Sequence, residues 1–195
     1  MATDNGTERC LAADSGGKVA SSRMSSLDRQ PLDIEAYEER AHNGPCFVCA
    51  FLQGHPDYRH ETVLEDDEHI AFLDRYPTLP GKLLACPKRH VEHAVRDLDD
   101  TEYVNLMLFV RTAAQALEAA MPVERTYIYT LGSQQGNSHL HWHIAGLPPG
   151  VPYHEQQFAA LMSGDGVLTG PGYDTVAIAR RIRAAAEANA AIRRP

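Results

Sequence analysis

The run His139-Leu140-His141-Trp142-His143-Ile144 alternates imidazole and apolar side chains with a period of two, which constrains the fold more than any other stretch of the chain. On a strand, residues i, i+2 and i+4 share one face. The three imidazoles therefore line up, while Leu140, Trp142 and Ile144 point the other way into a core. Histidine is neither a good strand former nor cheap to bury, so packing explains three in register poorly. The spacing marks a working face. It leaves open a metal site, because His-x-His on a strand can place two nitrogens on one ion and a third could complete an open catalytic zinc.

The surrounding sequence reads as one α+β domain with tails, which 195 residues at 44% hydrophobic content can fill with a core of its own. Residues 1–32 are polar and are expected to form a flexible tail. Residues 33–150 form the expected catalytic domain, and 151–195 a C-terminal helical extension packed on it. Asp33 to His42 reads as a short helix broken by Gly44-Pro45. ETVLED, HIAFLD and KLLACP are short, apolar or alternating, as in an antiparallel sheet. From Asp99 to about Met121 apolar residues recur at helical spacing behind an Asp-rich N-cap, giving the longest helix. RTYIYTLG and SHLHWHIAG read as two central strands joined by a polar turn. Beyond Gly150 the pattern predicts a helix at 154–163 and an Ala/Arg-rich helix from about 174 to 191.

Charge and cysteine usage narrow the function. A net charge of -8 argues against a general nucleic-acid or membrane-surface binder, which needs clustered positive charge. No stretch of about 18 apolar residues occurs and no signal segment is seen, so a cytoplasmic protein is expected. Cys46 and Cys49 sit one helical turn apart, a spacing that suits a metal or redox chemistry in a reducing compartment.

At the histidine run the sequence resembles the histidine triad superfamily, whose motif is His-φ-His-φ-His-φ-φ with φ apolar. Here it is complete as His139-Leu140-His141-Trp142-His143-Ile144-Ala145. The resemblance extends upstream through VLEDDEHIAFLDRYPTLPGKLLACPKRHVEH and covers roughly residues 45–147. It implies an antiparallel sheet of about five strands with a long helix and a short N-terminal one, and a symmetric homodimer. It also implies chemistry on a nucleotide: His141 attacks the α-phosphorus and forms a nucleotidyl-histidine that water resolves. Neutral imidazole suits that task. His143 then contacts the phosphate oxygens. Retention of a third histidine, where related transferases carry glutamine, favours a hydrolase over a nucleotidyl transferase.

The same resemblance places Asp74 against the ribose hydroxyls and Phe47, Val48, Phe51 and Phe72 around the base. A Gly/Ser/Gln/Asn loop can supply donors to the phosphorus, with Gly132, Ser133, Gln135, Asn137 and Ser138 as candidates. This loop departs from the family pattern, with Thr130 where an asparagine is common. Lys82 stands where some members carry another histidine. Bacterial members that resemble this chain imply a structural Zn2+ held by Cys46, Cys49, His90 and His139, which leaves His141 free of metal. Two rivals remain: a metal-dependent hydrolase that uses all three histidines as ligands, and a nucleotide-binding protein without turnover. Tyr153, His154 and Phe158 are candidates for a lid.

Overall fold

The computed structural model describes residues 29–133 and 136–192. Helix α1 (Ile34–Asn43) begins where the Asp33 carboxylate accepts from the Ala36 N–H at 3.0 Å. Helix α2 (Phe47–Leu52) follows Gly44-Pro45. Its N-cap is Cys46, whose sulfur accepts from the Cys49 N–H. Strands β1 (Thr62–Glu65), β2 (His69–Leu73) and β3 (Leu83–Pro87) form an antiparallel meander. Helix α3 (Asp100–Ala120) starts at a capping box in which Asp99 and Glu102 satisfy each other's backbone N–H groups. Strands β4 (Arg125–Tyr129) and β5 (Trp142–Leu147) complete a five-stranded antiparallel sheet of order β1-β2-β3-β5-β4. The expected α+β architecture is therefore present.

Register assigns each side chain to one of two layers. Ala71, Leu73, Leu83, Ala85 and Ile144 face α3, where they bury Leu106, Val110 and Leu117 in the main core. The opposite face carries Ile70, Phe72, Leu84 and Cys86 against Val48 of α2. Leu84 lies directly opposite His143, and Tyr129 pairs with His143 from the other side. His143 therefore sits on the α2 face of the sheet, away from α3.

Three expectations need revision. Regular pairing of β5 begins only at Trp142, because the Leu140 N–H bonds to the Val91 carbonyl at 2.7 Å outside the sheet ladder. The alternation survives, since Leu140, Trp142 and Ile144 all enter the main core. The helix expected at 154–163 is a series of single turns, Tyr153–Glu155, α4 (Phe158–Leu161) and Ser163–Asp165. Gln157 at φ 55° interrupts the helical path, and extended backbone at Met162 ends α4. Of the tail expected over 1–32, residues 1–28 lie outside the described residues. Gln30 pairs antiparallel with Val167, and Arg29 donates to the carbonyls of Gly166 and Thr78.

The extension adds helix α5 (Thr175–Ile192), whose Ala179 and Ile182 are fully buried in the same core as α3. Tyr173 accepts from the Gly81 N–H at 2.9 Å and ties the segment before α5 to the β2–β3 turn. Among the described residues no helix is long and apolar enough to cross a membrane.

Ile144 lies in the main core where β5 meets α3, and it is fully buried. Ile144→Ala is expected to lower the unfolding free energy by about 2–5 kcal/mol in urea titrations. Val95→Ala, at a residue 92% exposed, should stay within about 0.5 kcal/mol of wild type.

Candidate active site and metal centre

His139 and His141 are separated by one residue yet face different chemistry. The Nε2–H of His139 donates to the Pro87 carbonyl at 2.9 Å, which leaves Nδ1 as the lone-pair nitrogen. That nitrogen lies 3.4 Å from the sulfur of Cys46 and 3.8 Å from that of Cys49. His90 Nδ1 lies 3.4 Å from Cys49 sulfur, and the far nitrogen of its ring, Nε2, is 3.4 Å from a Glu92 carboxylate oxygen. The four donor atoms all fall within 4.8 Å of one another.

A tetrahedral Zn2+ with the usual Zn–S and Zn–N bond lengths would hold its ligands roughly 3.3–3.8 Å apart, so this set fits a structural zinc. Each imidazole also presents one nitrogen and places the other near an acceptor, as metal-bound histidines do. Burial pushes the pKa of His139 down to about 4, which keeps it in the neutral form a metal requires. The three histidines of the run do not converge on one ion: among the described residues only His139 joins a metal-ligating cluster. That arrangement tells against a metal held by the whole triplet.

His141 is nearly fully buried, and its Nδ1–H donates to the His139 carbonyl at 2.6 Å. Its own carbonyl accepts from Thr130 Oγ1 at 2.7 Å, so the backbone beside the ring is held on the β4 side. Phe47 meets the ring edge-on at 5.4 Å between centroids. Burial lowers the pKa of His141, so the ring is neutral and Nε2 carries the free lone pair. His143 stacks on Tyr129 at 4.8 Å with planes 12° apart. Burial first, and the neighbouring Lys82 charge second, lower its pKa as well.

His141 and His143 line a cavity of about 470 Å³ together with Asp74, Lys82, Phe47 and Asn137. Asn137 donates to the Tyr37 hydroxyl at 2.8 Å. Val48 and Phe72, expected around the base, are instead fully buried in the layer behind Phe47, and the cavity reaches neither. Phe51 and Ser138 are likewise away from its wall, and Gln135 lies outside the described residues. Tyr153, His154 and Phe158 are exposed and do not line it, whereas Leu161, Met162 and Ser163 from the same segment do. The wall also includes Ile34 and Tyr37 of α1, His60, Tyr76 and Thr78, which the motif spacing does not single out.

Asp74 is committed before any ligand arrives. One carboxylate oxygen accepts from the Tyr76 N–H at 2.9 Å and the other from Lys82 Nζ at 2.9 Å. A lysine between Gly81 and the apolar run LLAC was the available sequence signal for this buried ion pair.

A family model for the HIT domain matches residues 56–149, which span Asp74, Lys82, His90 and the whole histidine run. An uncharacterized HIT-like protein of Saccharolobus solfataricus is 30% identical over 102 residues, covering 51% of this chain and 71% of that protein. The chain belongs to the HIT family. An uncharacterized 16.1 kDa HIT-like protein of Mycoplasma pneumoniae is 27% identical over 107 residues, covering 54% of this chain and 72% of the relative. Among solved structures, a Zn-bound histidine triad family protein from Mycobacterium smegmatis superposes with a TM-score of 0.60 at 20% identity, covering 75% of this chain and 96% of the other. A hypothetical histidine triad nucleotide-binding protein from Sulfolobus tokodaii gives 0.59 at 22% identity, with coverage of 73% and 93%. These two share the HIT fold, and their superpositions reach beyond the 94 residues from 56 to 149 that the domain model matches.

The Asp74–Lys82 pair also sets a pH dependence. Burial opposes the Asp74 charge, but Lys82 and the Tyr76 N–H outweigh it and hold the carboxyl below its ordinary range. A depressed folded pKa contributes stability above the unfolded value of about 3.9 and loses it as pH falls through the folded value. Asp74→Asn, which strands the Lys82 charge, is expected to cost about 3–5 kcal/mol at pH 7. The gap to wild type should narrow at the acid end, as checked by denaturant unfolding across pH.

Proposed function

We propose that this HIT protein is a hydrolase that cleaves the α-phosphorus bond of a nucleoside phosphate conjugate through a covalent intermediate on His141. The observation that carries this reading is the 2.6 Å bond from His141 Nδ1–H to the His139 carbonyl, which makes Nε2 of a cavity-lining, neutral ring the attacking nitrogen. In the first step the Nε2 lone pair forms a P–N bond while the bond to the leaving group breaks. The leaving group keeps that electron pair and takes up a proton. In the second, water forms a P–O bond, the P–N pair returns to Nε2 and a proton is released. His143, on the same sheet face, contacts the phosphate oxygens, and Phe47 packs beside the base. The products are a nucleoside monophosphate and the leaving group.

His141→Ala is expected to lower kcat by about 10³-fold or more and to abolish the labelled adduct trapped by alkaline quench. An adduct retained in that variant would refute the assignment. Tight nucleotide binding without any turnover by wild type would favour a binding protein instead.

We further infer a closed Cys2His2 zinc site at Cys46, Cys49, His90 and His139. The distances and paired nitrogens support it, and a protein of the same fold is Zn-bound. Its role here is structural, since it pins the first turn of α2 to the chain leading into β5. Cys49→Ser should lose stoichiometric zinc by elemental analysis. A strong chelator should lower the melting temperature of wild type but not that of the variant.

A further inference from the structure

Lys82 is an anomaly for a residue of its type: it is 6% exposed, immediately precedes the fully buried strand β3 and lines the cavity of His141 and His143. Sheet geometry brings it there. Asp74 N–H bonds to the Lys82 carbonyl, extending the β2–β3 pairing by one step, and Leu84, two residues on, lies opposite His143. Residues at i and i+2 share a face, so Lys82 is the diagonal neighbour of His143.

An ammonium has three donors. Asp74 takes one at 2.9 Å, the Tyr129 hydroxyl lies near enough to interact with a second, and among the described residues no acceptor takes the third. Burial works against the charge, yet the Asp74 carboxylate holds Lys82 protonated. Two other cations reach the cavity wall, Arg40 and Arg75, but both donate to the Asp57 carbonyl near its exposed rim. Among the described residues Nδ1 of His143 and Oγ1 of Thr78 are buried without a hydrogen-bond partner, the former 4.0 Å from Asp74 Oδ2, and both residues line this cavity. The polar end of the cavity therefore contains one desolvated positive charge with a spare donor beside two neutral imidazoles. Its natural complement is a phosphoryl oxygen.

We propose that Lys82 is a catalytic residue that donates to a non-bridging oxygen of the scissile phosphate, and that Asp74 acts chiefly as the positioning residue for Lys82. This rests on the reaction at His141 proposed above. It changes the part given to Asp74, whose carboxylate is half spent before a sugar arrives.

The test uses the full-length, zinc-loaded protein with adenosine 5′-phosphoramidate and its 2′,3′-dideoxy analogue. Lys82→Met should lower kcat about 100-fold while KM moves less than about threefold, and Lys82→Arg should recover kcat to within about tenfold of wild type. Asp74→Asn should lower kcat alike on both substrates. A rise in KM confined to the ribose substrate would instead make Asp74 a sugar reader and overturn the proposal. Because Lys82→Met strands a buried carboxylate, the double variant Asp74→Asn/Lys82→Met serves as the second measurement. Its kcat should remain about 100-fold down; recovery to the wild-type rate would show Lys82 to be a counter-ion only. An adduct that survives His141→Ala sinks the underlying reaction. A His141-dependent adduct that forms at the wild-type rate in Lys82→Met sinks only this inference.

Discussion

The site depends on the orientation of one imidazole. His139 gives its Nε2–H to the Pro87 carbonyl, turns Nδ1 towards two thiols and offers its own carbonyl to the ring of His141. Each bond restrains a different part of the chain: the end of β3, the start of α2 and the proposed nucleophile. A neutral imidazole has one donor and one acceptor nitrogen, so the first bond decides the direction of the second. The proposed catalytic ring is thus aligned by a residue that takes no part in the chemistry assigned to it.

Sheet register carries that alignment across the molecule. Tyr129, His143 and Leu84 form a row on the α2 face, with Lys82 and Asp74 following at the end of the β2–β3 pair. The α3 face of the same strands is mainly apolar, with His69 packed on Phe109 and Thr126 bonded to Glu118. A slip of one residue between β3 and β5 would exchange the faces, moving imidazoles into the core beside Leu106 and Leu117. The large burial term thus protects the polar geometry. It specifies the register, and the register specifies which side chains meet.

Much of this was legible in the chain. Alternation at 139–144 identified the two faces, helical spacing behind Asp99 located α3 within a residue, and the cysteine pair did sit on one turn. These features are local periods. Val48 and Phe72 could not be separated from Phe47 in that way, because whether an apolar side chain lines a cavity or lies behind it depends on the layer, not on residue type. The Asp74–Lys82 pair joins residues eight apart across a strand turn, and motif spacing marked each singly without showing that they neutralise each other. Gln157 at positive φ broke an expected helix whose apolar residues gave no sign of it. Thr130 shows the opposite lesson: a departure from the family pattern still places a hydroxyl on the His141 carbonyl.

The pairing of Gln30 with Val167 links the chain ahead of α1 to the segment that supplies Leu161, Met162 and Ser163 to the cavity. Both flanks of the matched domain therefore share one cavity wall with His141 and His143. A ligand that fills the cavity touches the two flanks and the sheet at once, and its binding energy adds to their docking. Ligand occupancy and the docking of the two flanks are thereby linked. Looser docking weakens retention of the ligand by the same free energy with which the ligand steadies the flanks.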